Sequence, residues 1–329
     1  METILNYGIA FIVWFQGFGS WLVEPMKFFS FLGSETFIMV LIPLIYWCVD
    51  APLGLRIAVI VLFSGGINEI AKLALYGPRP YWFTTQVKAY AAESNFGVPS
   101  GHSQSAVALW GTAASIIKHR WLWLLAFFFI LMIGLSRLFL AVHFPHDVLA
   151  GWAIGGLLVW GYLKCWQPAV SWLEGKSLGQ QIGLAFALSL IMIVLGSIAY
   201  GSLHTWVMPA AWLENARLAG VDVLPAPVSL KNTISFAAAL FGFLSGVAWT
   251  NSRGGYNASG NTNRKMLRFL LGLVGLLVFY IGVGKITPAG ENLASFLGHY
   301  LRYALVGLWI SAGAPWLFQK LNLLQRKNT

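Results

Sequence analysis

Three short clusters in this chain hold residue types that can bind and transfer a multiply charged anion. The first runs from Lys72 to Arg79-Pro80. Lys72 closes an apolar run and Gly77-Pro78 interrupts it, so two cations stand near one helix end. Arginine offers a planar fork to an anion and lysine a mobile point charge; taken alone, the pair also fits ordinary snorkelling to a membrane interface. The second cluster is Pro99-Ser100-Gly101-His102, at the start of another apolar run. Ser100 suits an N-cap and Gly101 permits close approach of the backbone. The first N–H groups of such a helix make an anion site, and His102 in its first turn can exchange a proton with what binds there. A capped helix with an interfacial histidine is the plainer explanation.

The third cluster is Ser136-Arg137, then His143, then Asp147. Arg137 lies within the run IGLSRLFLAVHF, where a charge is costly unless paired or functional. Pro145 suits the first position of a helix, which places Asp147 in its first turn. A carboxylate one turn from an imidazole accepts its Nδ1–H and leaves Nε2 as a lone-pair nucleophile. Asp147 as a helix-dipole partner is the simpler alternative. Each cluster alone has a structural explanation; three such coincidences on one membrane side do not share one.

The pattern Lys-x6-Arg-Pro, Pro-Ser-Gly-His, Ser-Arg-x5-His-x3-Asp resembles the signature of the type 2 phosphatidic acid phosphatase family, which includes integral membrane lipid phosphate phosphatases. That family is related to vanadium-dependent haloperoxidases and bacterial acid phosphatases. The resemblance covers roughly residues 36–163, with all three blocks in order and spacing. It implies a phosphatase that uses no metal and no cofactor, with a six-helix core. By the family pattern His143 attacks phosphorus to form a phosphohistidine, and Asp147 orients it. His102 protonates the leaving oxygen and later activates water. Lys72, Arg79, Ser100, Gly101 and Arg137 hold the phosphoryl oxygens.

Around these residues the chain departs from the pattern or leaves choices open. His146 stands where the family more often has a small polar residue, and is either a solvent-facing side chain or a second proton donor. Tyr81-Trp82-Phe83 either anchors its loop at the interface or lines the entry for an alkyl chain. Glu69, one turn before Lys72, is expected to pair with it. His119, His204 and His299 belong to no motif.

The elements that position these clusters must lie in a bilayer. Of the 329 residues 58% are hydrophobic and 10% charged, against about 25% charged in an average soluble domain. With a mean hydropathy of +0.70, this excludes a cytosolic enzyme, a disordered chain and a disulfide scaffold. Sixteen Trp and 35 Gly fit a membrane protein. Cys48 and Cys165 lie in or beside apolar runs and read as buried thiols. The N-terminus has no basic region ahead of its apolar run, so no removable signal peptide is expected. An all-α, polytopic fold is expected, with about ten spans at residues 4–23, 36–49, 57–75, 103–117, 121–140, 148–163, 182–199, 234–249, 267–281 and 303–318. The first is the weakest, and fits an interfacial helix as well.

The chain divides near Cys165 into a phosphatase core, 1–165, and a C-terminal membrane extension, 166–329, outside the motif pattern. The extension reads either as a packing or dimerisation module, which admits a homo-oligomer, or as the wall of a lipid-entry groove. The net charge of +10 comes in short basic clusters between apolar runs, which points to membrane orientation and not to nucleic acid. With every span crossing, and with Lys72, Arg79 and Arg137 set aside, twelve basic residues face one side and six the other. The positive-inside rule puts the twelve in the cytoplasm and the three clusters on the periplasmic, exterior or lumenal side. Two functions compete. One is a phosphatase, or a phosphotransferase with the same residues, acting on lipid phosphates or prenyl and lipid pyrophosphates. The other is a transporter or scramblase that binds a phosphorylated lipid without cleaving it. A pure binder needs no His-Asp pair facing a second histidine, and no repeat of the transporter kind is visible.

Overall fold

A chain in hydrocarbon must satisfy its own backbone groups, so long apolar runs become helices. The computed structural model describes residues 2–324. Among them the regular structure is helical throughout, without strands. In chain order the helices are α1 (Glu2–Gln16), α2 (Val23–Leu32), α3 (Glu35–Leu44), α4 (Ala51–Leu75), α5 (Pro80–Phe83), α6 (Gly101–Ala106), α7 (Thr112–Ile117) and α8 (Arg120–Phe139). Then come α9 (Pro145–Glu174), α10 (Leu178–Gly201), α11 (Ala210–Leu218), α12 (Lys231–Asn251), α13 (Thr262–Leu277), α14 (Gly284–Ile286), α15 (Leu293–Leu308) and α16 (Ala314–Lys320). Wider π turns occupy 45–49, 107–111, 278–283 and 309–313.

Six of the described helical stretches are long and apolar enough to cross a membrane: Ala51–Phe83, Arg120–Phe139, Pro145–Glu174, Leu178–Gly201, Lys231–Asn251 and Thr262–Ile286. A bent pair, Ser20–Leu32 with Glu35–Val49, adds a seventh when taken as one span. The protein is an integral membrane protein. Ten spans are not established by these helices. The apolar segment at 4–23 ends as a helix at Gln16, the helical run through 103–117 is confined to residues 101–117, and the segment at 303–318 is not among the six.

Two compact units are distinguished. The first comprises Met1–Phe37, Ile67–Trp160 and Gly196–Ser229. In it α2, α6 and the π turn at 107–111 pack on α8, and α11 packs on α5. Gln16 Nε2 donates to the carbonyls of Lys88 and Phe139, both at 2.8 Å. Trp82, Phe96, Ile133, Phe139 and Phe144 are fully buried. The second unit comprises Ile38–Gly66, Gly161–Leu195 and Leu230–Thr329. Its centre is α12 against α15. There Trp47 Nε1 donates to the carbonyl of Ile310 at 2.8 Å, and buried Arg268 donates to the carbonyls of Trp47, Ala258, Ser259 and Leu323.

Candidate active site

All three clusters lie in the first unit. Lys72 sits in the last turn of α4, which ends at Leu75, and Tyr76 turns the chain with φ 36°. Pro80 then starts α5, with Arg79 as its N-cap residue. The segment 84–98 returns toward α4: Gly97 N–H donates to the carbonyl of Gly77 at 2.9 Å. Ser100 caps α6 through its Oγ, which accepts from Ser103 N at 3.4 Å. A Cβ on Gly101 would come within 3.0 Å of Asn68 Oδ1 and 3.5 Å of Lys72 Nζ, so only glycine leaves the helix start open to the lysine. A Cβ on Gly151 would meet the carbonyl of Ser100 at 2.6 Å, which is why α9 can lie against that cap. Asp147, in the first turn of α9, accepts from Phe144 N at 2.9 Å. This reach back to the preceding N–H is one half of a capping box.

The Asp147 oxygen that caps α9, Oδ2, also lies 3.4 Å from His143 Nδ1. The imidazole thus keeps Nδ1 toward the carboxylate and turns Nε2 away, and Arg79 Nη1 lies 3.3 Å from that nitrogen. Arg79 makes four further bonds. Nε donates to the carbonyl of Asn95 (2.7 Å) and Nη1 to that of Val142 (2.8 Å). Nη2 donates to Asn95 Oδ1 (2.5 Å) and to the carbonyl of Phe96 (3.1 Å). Arg137 donates to Ser30 Oγ and Glu93 Oε1, while its buried Nε has no protein partner. Lys72 Nζ is 2.8 Å from Glu69 Oε1, the pairing expected from their spacing.

Arg79, Arg137, Lys72, His143, Asp147 and Ser100 are all buried. Ionised groups withdrawn from water are tolerated when paired and hydrogen-bonded. Here the cations Lys72, Arg79 and Arg137 are set against the carboxylates Glu69, Glu93 and Asp147. Burial would raise the Glu93 carboxyl, but Arg137, Arg79, His102 and Lys72 outweigh it and hold it well below the usual range. His143, in the link between α8 and α9, is pushed well below its ordinary value by burial and then by Arg79, Arg137, Lys72 and His102. It therefore stays neutral, the form a nitrogen nucleophile needs.

The structure thus gathers Lys72, Arg79, Ser100, Gly101, His102, Arg137, His143 and Asp147 in one unit. Glu93 and Asn95 join them from a segment in which the sequence marked no site. His146 is partly exposed; its Nε2 is 3.1 Å from Asp147 Oδ1 and its ring stacks on Phe144. Of Tyr81-Trp82-Phe83, Phe83 is half-buried, whereas Tyr81 and Trp82 are withdrawn from any interface. Both are fully buried, and Tyr81 Oη exchanges hydrogen bonds with the backbone of Glu93. Cys48 is buried as expected, whereas Cys165 is exposed.

A helical membrane protein with buried cations, a helix N-terminus and a carboxylate-oriented histidine has the form of a phosphoryl-transfer enzyme. Residues 53–171 match the PAP2 superfamily, and residues 234–327 match the PAP2 superfamily phosphatase transmembrane extension. The chain belongs to the PAP2 superfamily. Residues 234–327, in the back half that carries none of the three blocks, thus match a named extension of that superfamily. Relatives include glucose-6-phosphatase 3 of Bos taurus, 28% identical over 65% of this chain and 66% of that protein. Glucose-6-phosphatase 3 of Mus musculus is 27% identical over 98% and 97%. Sphingosine-1-phosphate phosphatase 2 of Homo sapiens is 28% identical over 44% and 39%. The chain thus spans just under two thirds of the bovine relative and nearly all of the murine one. No solved structure matches.

Proposed function

We propose that this protein hydrolyses a phosphoric ester through a phosphohistidine at His143. The observation that carries this is the placement of one imidazole between Asp147 Oδ2 at Nδ1 and Arg79 at Nε2. His143 Nε2 attacks phosphorus and the bond to the ester oxygen breaks. His102 gives that oxygen a proton, so an alcohol leaves. A water then attacks the phosphohistidine, His102 takes its proton, the N–P bond breaks and phosphate departs. Lys72, Arg79, Arg137, Ser100 Oγ and the first N–H groups of α6 stabilise the charge that spreads over the phosphoryl oxygens. Positioning and charge stabilisation are what phosphoryl transfer mainly requires. The unpartnered Arg137 Nε supports this reading, since it leaves a buried donor for a phosphoryl oxygen.

The substrate class we favour is a lipid phosphate or a prenyl or lipid pyrophosphate, because a site among spanning helices suits a headgroup whose tail stays in the bilayer. Transfer to a second lipid instead of water would use the same residues. The chain would cross about ten times, with the site on the periplasmic, exterior or lumenal side, in keeping with the excess of basic residues on the other. A second reading, a small sugar phosphate, is favoured by relatives named glucose-6-phosphatase that extend over nearly the whole chain.

The test is phosphate release by the purified full chain on phosphatidate, a sphingoid-base phosphate, a prenyl pyrophosphate and glucose 6-phosphate. Release is expected to survive EDTA, to be inhibited by vanadate and to fall by several powers of ten in a folded His143→Ala protein. Near wild-type release from that variant, or strict dependence on Mg²⁺, would sink the mechanism. Release from glucose 6-phosphate alone would replace the lipid reading by the second.

A further inference from the structure

Asn95 links Arg79 to Glu69, the carboxylate that pairs with Lys72. Its Oδ1 accepts from Arg79 Nη2 at 2.5 Å, and its own carbonyl accepts from Arg79 Nε at 2.7 Å. Its Nδ2 donates to both carboxylate oxygens of Glu69, at 3.3 Å each. Glu69 in turn holds Lys72 Nζ at 2.8 Å. Lys72, Glu69, Asn95 and Arg79 therefore form an unbroken chain that reaches His143 Nε2 through Arg79. An amide suits the middle of this chain because it presents an acceptor to the cation and a donor to the anion at once. Neither a carboxylate nor an ammonium could satisfy both sides.

Geometry also shows what the chain achieves. Lys72 hangs on a flexible stem at the end of α4, and Arg79 precedes α5, with the turn at Tyr76 between them. Asn95, arriving from a different segment, bonds both to Arg79 and to the carboxylate that holds Lys72. Resting on the phosphohistidine reading above, we propose that Asn95 is a positioning residue: it yokes the Lys72–Glu69 pair to Arg79, so that both cations meet one phosphoryl group at a fixed spacing.

A positioning role predicts a particular division of effects. Asn95→Ala unties the two cations but leaves His143, Asp147 and His102 in place. Its KM and its inhibition constants for orthovanadate and inorganic phosphate should rise about tenfold, the scale of one lost charge-assisted hydrogen bond, with kcat reduced far less. Asn95→Asp keeps an acceptor for Arg79 but turns a carboxylate toward Glu69, so it should bind vanadate no better than Asn95→Ala. In a double-mutant cycle with Glu69→Ala, the second substitution should add little to the first, because both cut one chain.

The measurement uses the full chain in detergent, with the vanadate-dependent rise in unfolding temperature as a binding readout independent of turnover. Vanadate and phosphate inhibition within twofold of wild type in both Asn95 variants would overturn the proposal. So would a loss confined to kcat, the mark of a smaller active fraction, or full additivity with Glu69→Ala. Turnover by His143→Ala would instead refute the reaction itself, a separate outcome from a silent Asn95.

Discussion

Lys72, Arg79 and Arg137 could not remain buried beside His143 unless carboxylates answered them and that histidine stayed neutral. That arrangement carries a cost in acid. Unfolding returns His143 to its ordinary 6.5 and Glu93 to its ordinary 4.5, whereas the fold holds both well below. The unfolded chain then binds more protons than the folded one, so the stability these groups contribute is lost as pH falls. His143 weighs first, below about pH 6.5, and Glu93 joins below about 4.5. The unfolding temperature in detergent is expected to drop on acidification from neutral pH, and His143→Gln should flatten the first part of that drop. A melting temperature that rises toward pH 5, or an unchanged slope in the variant, would contradict this balance. The residues of the three blocks were legible in the sequence because they are polar or charged at the ends of apolar runs, where such residues need a reason. Glu93 and Asn95 were not. They sit in a polar stretch where such residues need none, and their partners Arg137 and Arg79 lie 44 and 16 residues away.

Among the elements, the segment following α10 does what no local rule foretold. It is rich in proline and alanine, yet it braces the loop that carries Arg79 and Asn95. Trp206 packs on Phe96 with ring centres 5.3 Å apart, and Trp212 packs on Trp82 at 5.9 Å. Asn215 Nδ2 donates to the carbonyl of Trp82 at 2.9 Å, and Ala226 N to that of Ser94 at 3.0 Å. Residues far along the chain thereby steady the loop that carries Arg79 and Asn95. Trp212→Ala removes ring contacts to Trp82 and Trp206, each worth about 0.5–1.5 kcal/mol. A loss of about 1–3 kcal/mol in unfolding free energy is expected on that basis, together with weaker vanadate inhibition. Trp160→Ala, at an exposed site, serves as the comparison. Equal behaviour of the two variants would show that the brace is idle.

At the scale of the whole molecule, apolar composition and run length were enough to establish a helical membrane protein. They were not enough to count its spans. Hydropathy does not fix where a helix begins and ends, so the run at 4–23 looked long enough to cross although its helix stops at Gln16. Sidedness remains open to direct test. Gln86 and Asn261 are both exposed, and the excess of basic residues puts Asn261 in the cytoplasm and Gln86 opposite. With Cys48 and Cys165 replaced, a membrane-impermeant thiol reagent applied to intact cells should label a cysteine at 86 and spare one at 261. The reverse pattern would invert the protein and move its substrate to the cytoplasmic leaflet.

Arg79 has five N–H groups and already shares each with an oxygen or ring nitrogen of its own protein. An incoming phosphoryl oxygen therefore cannot simply be added; it must take the place of an acceptor that was there before. Binding becomes a swap at nearly constant hydrogen-bond number, with a small net free energy, and departure is the same swap reversed. In the proposed reaction such a site would grip its product lightly and clear quickly. One of the displaceable acceptors is His143 Nε2, so in the proposed reaction the exchange that admits the phosphoryl group also uncovers the lone pair that attacks it.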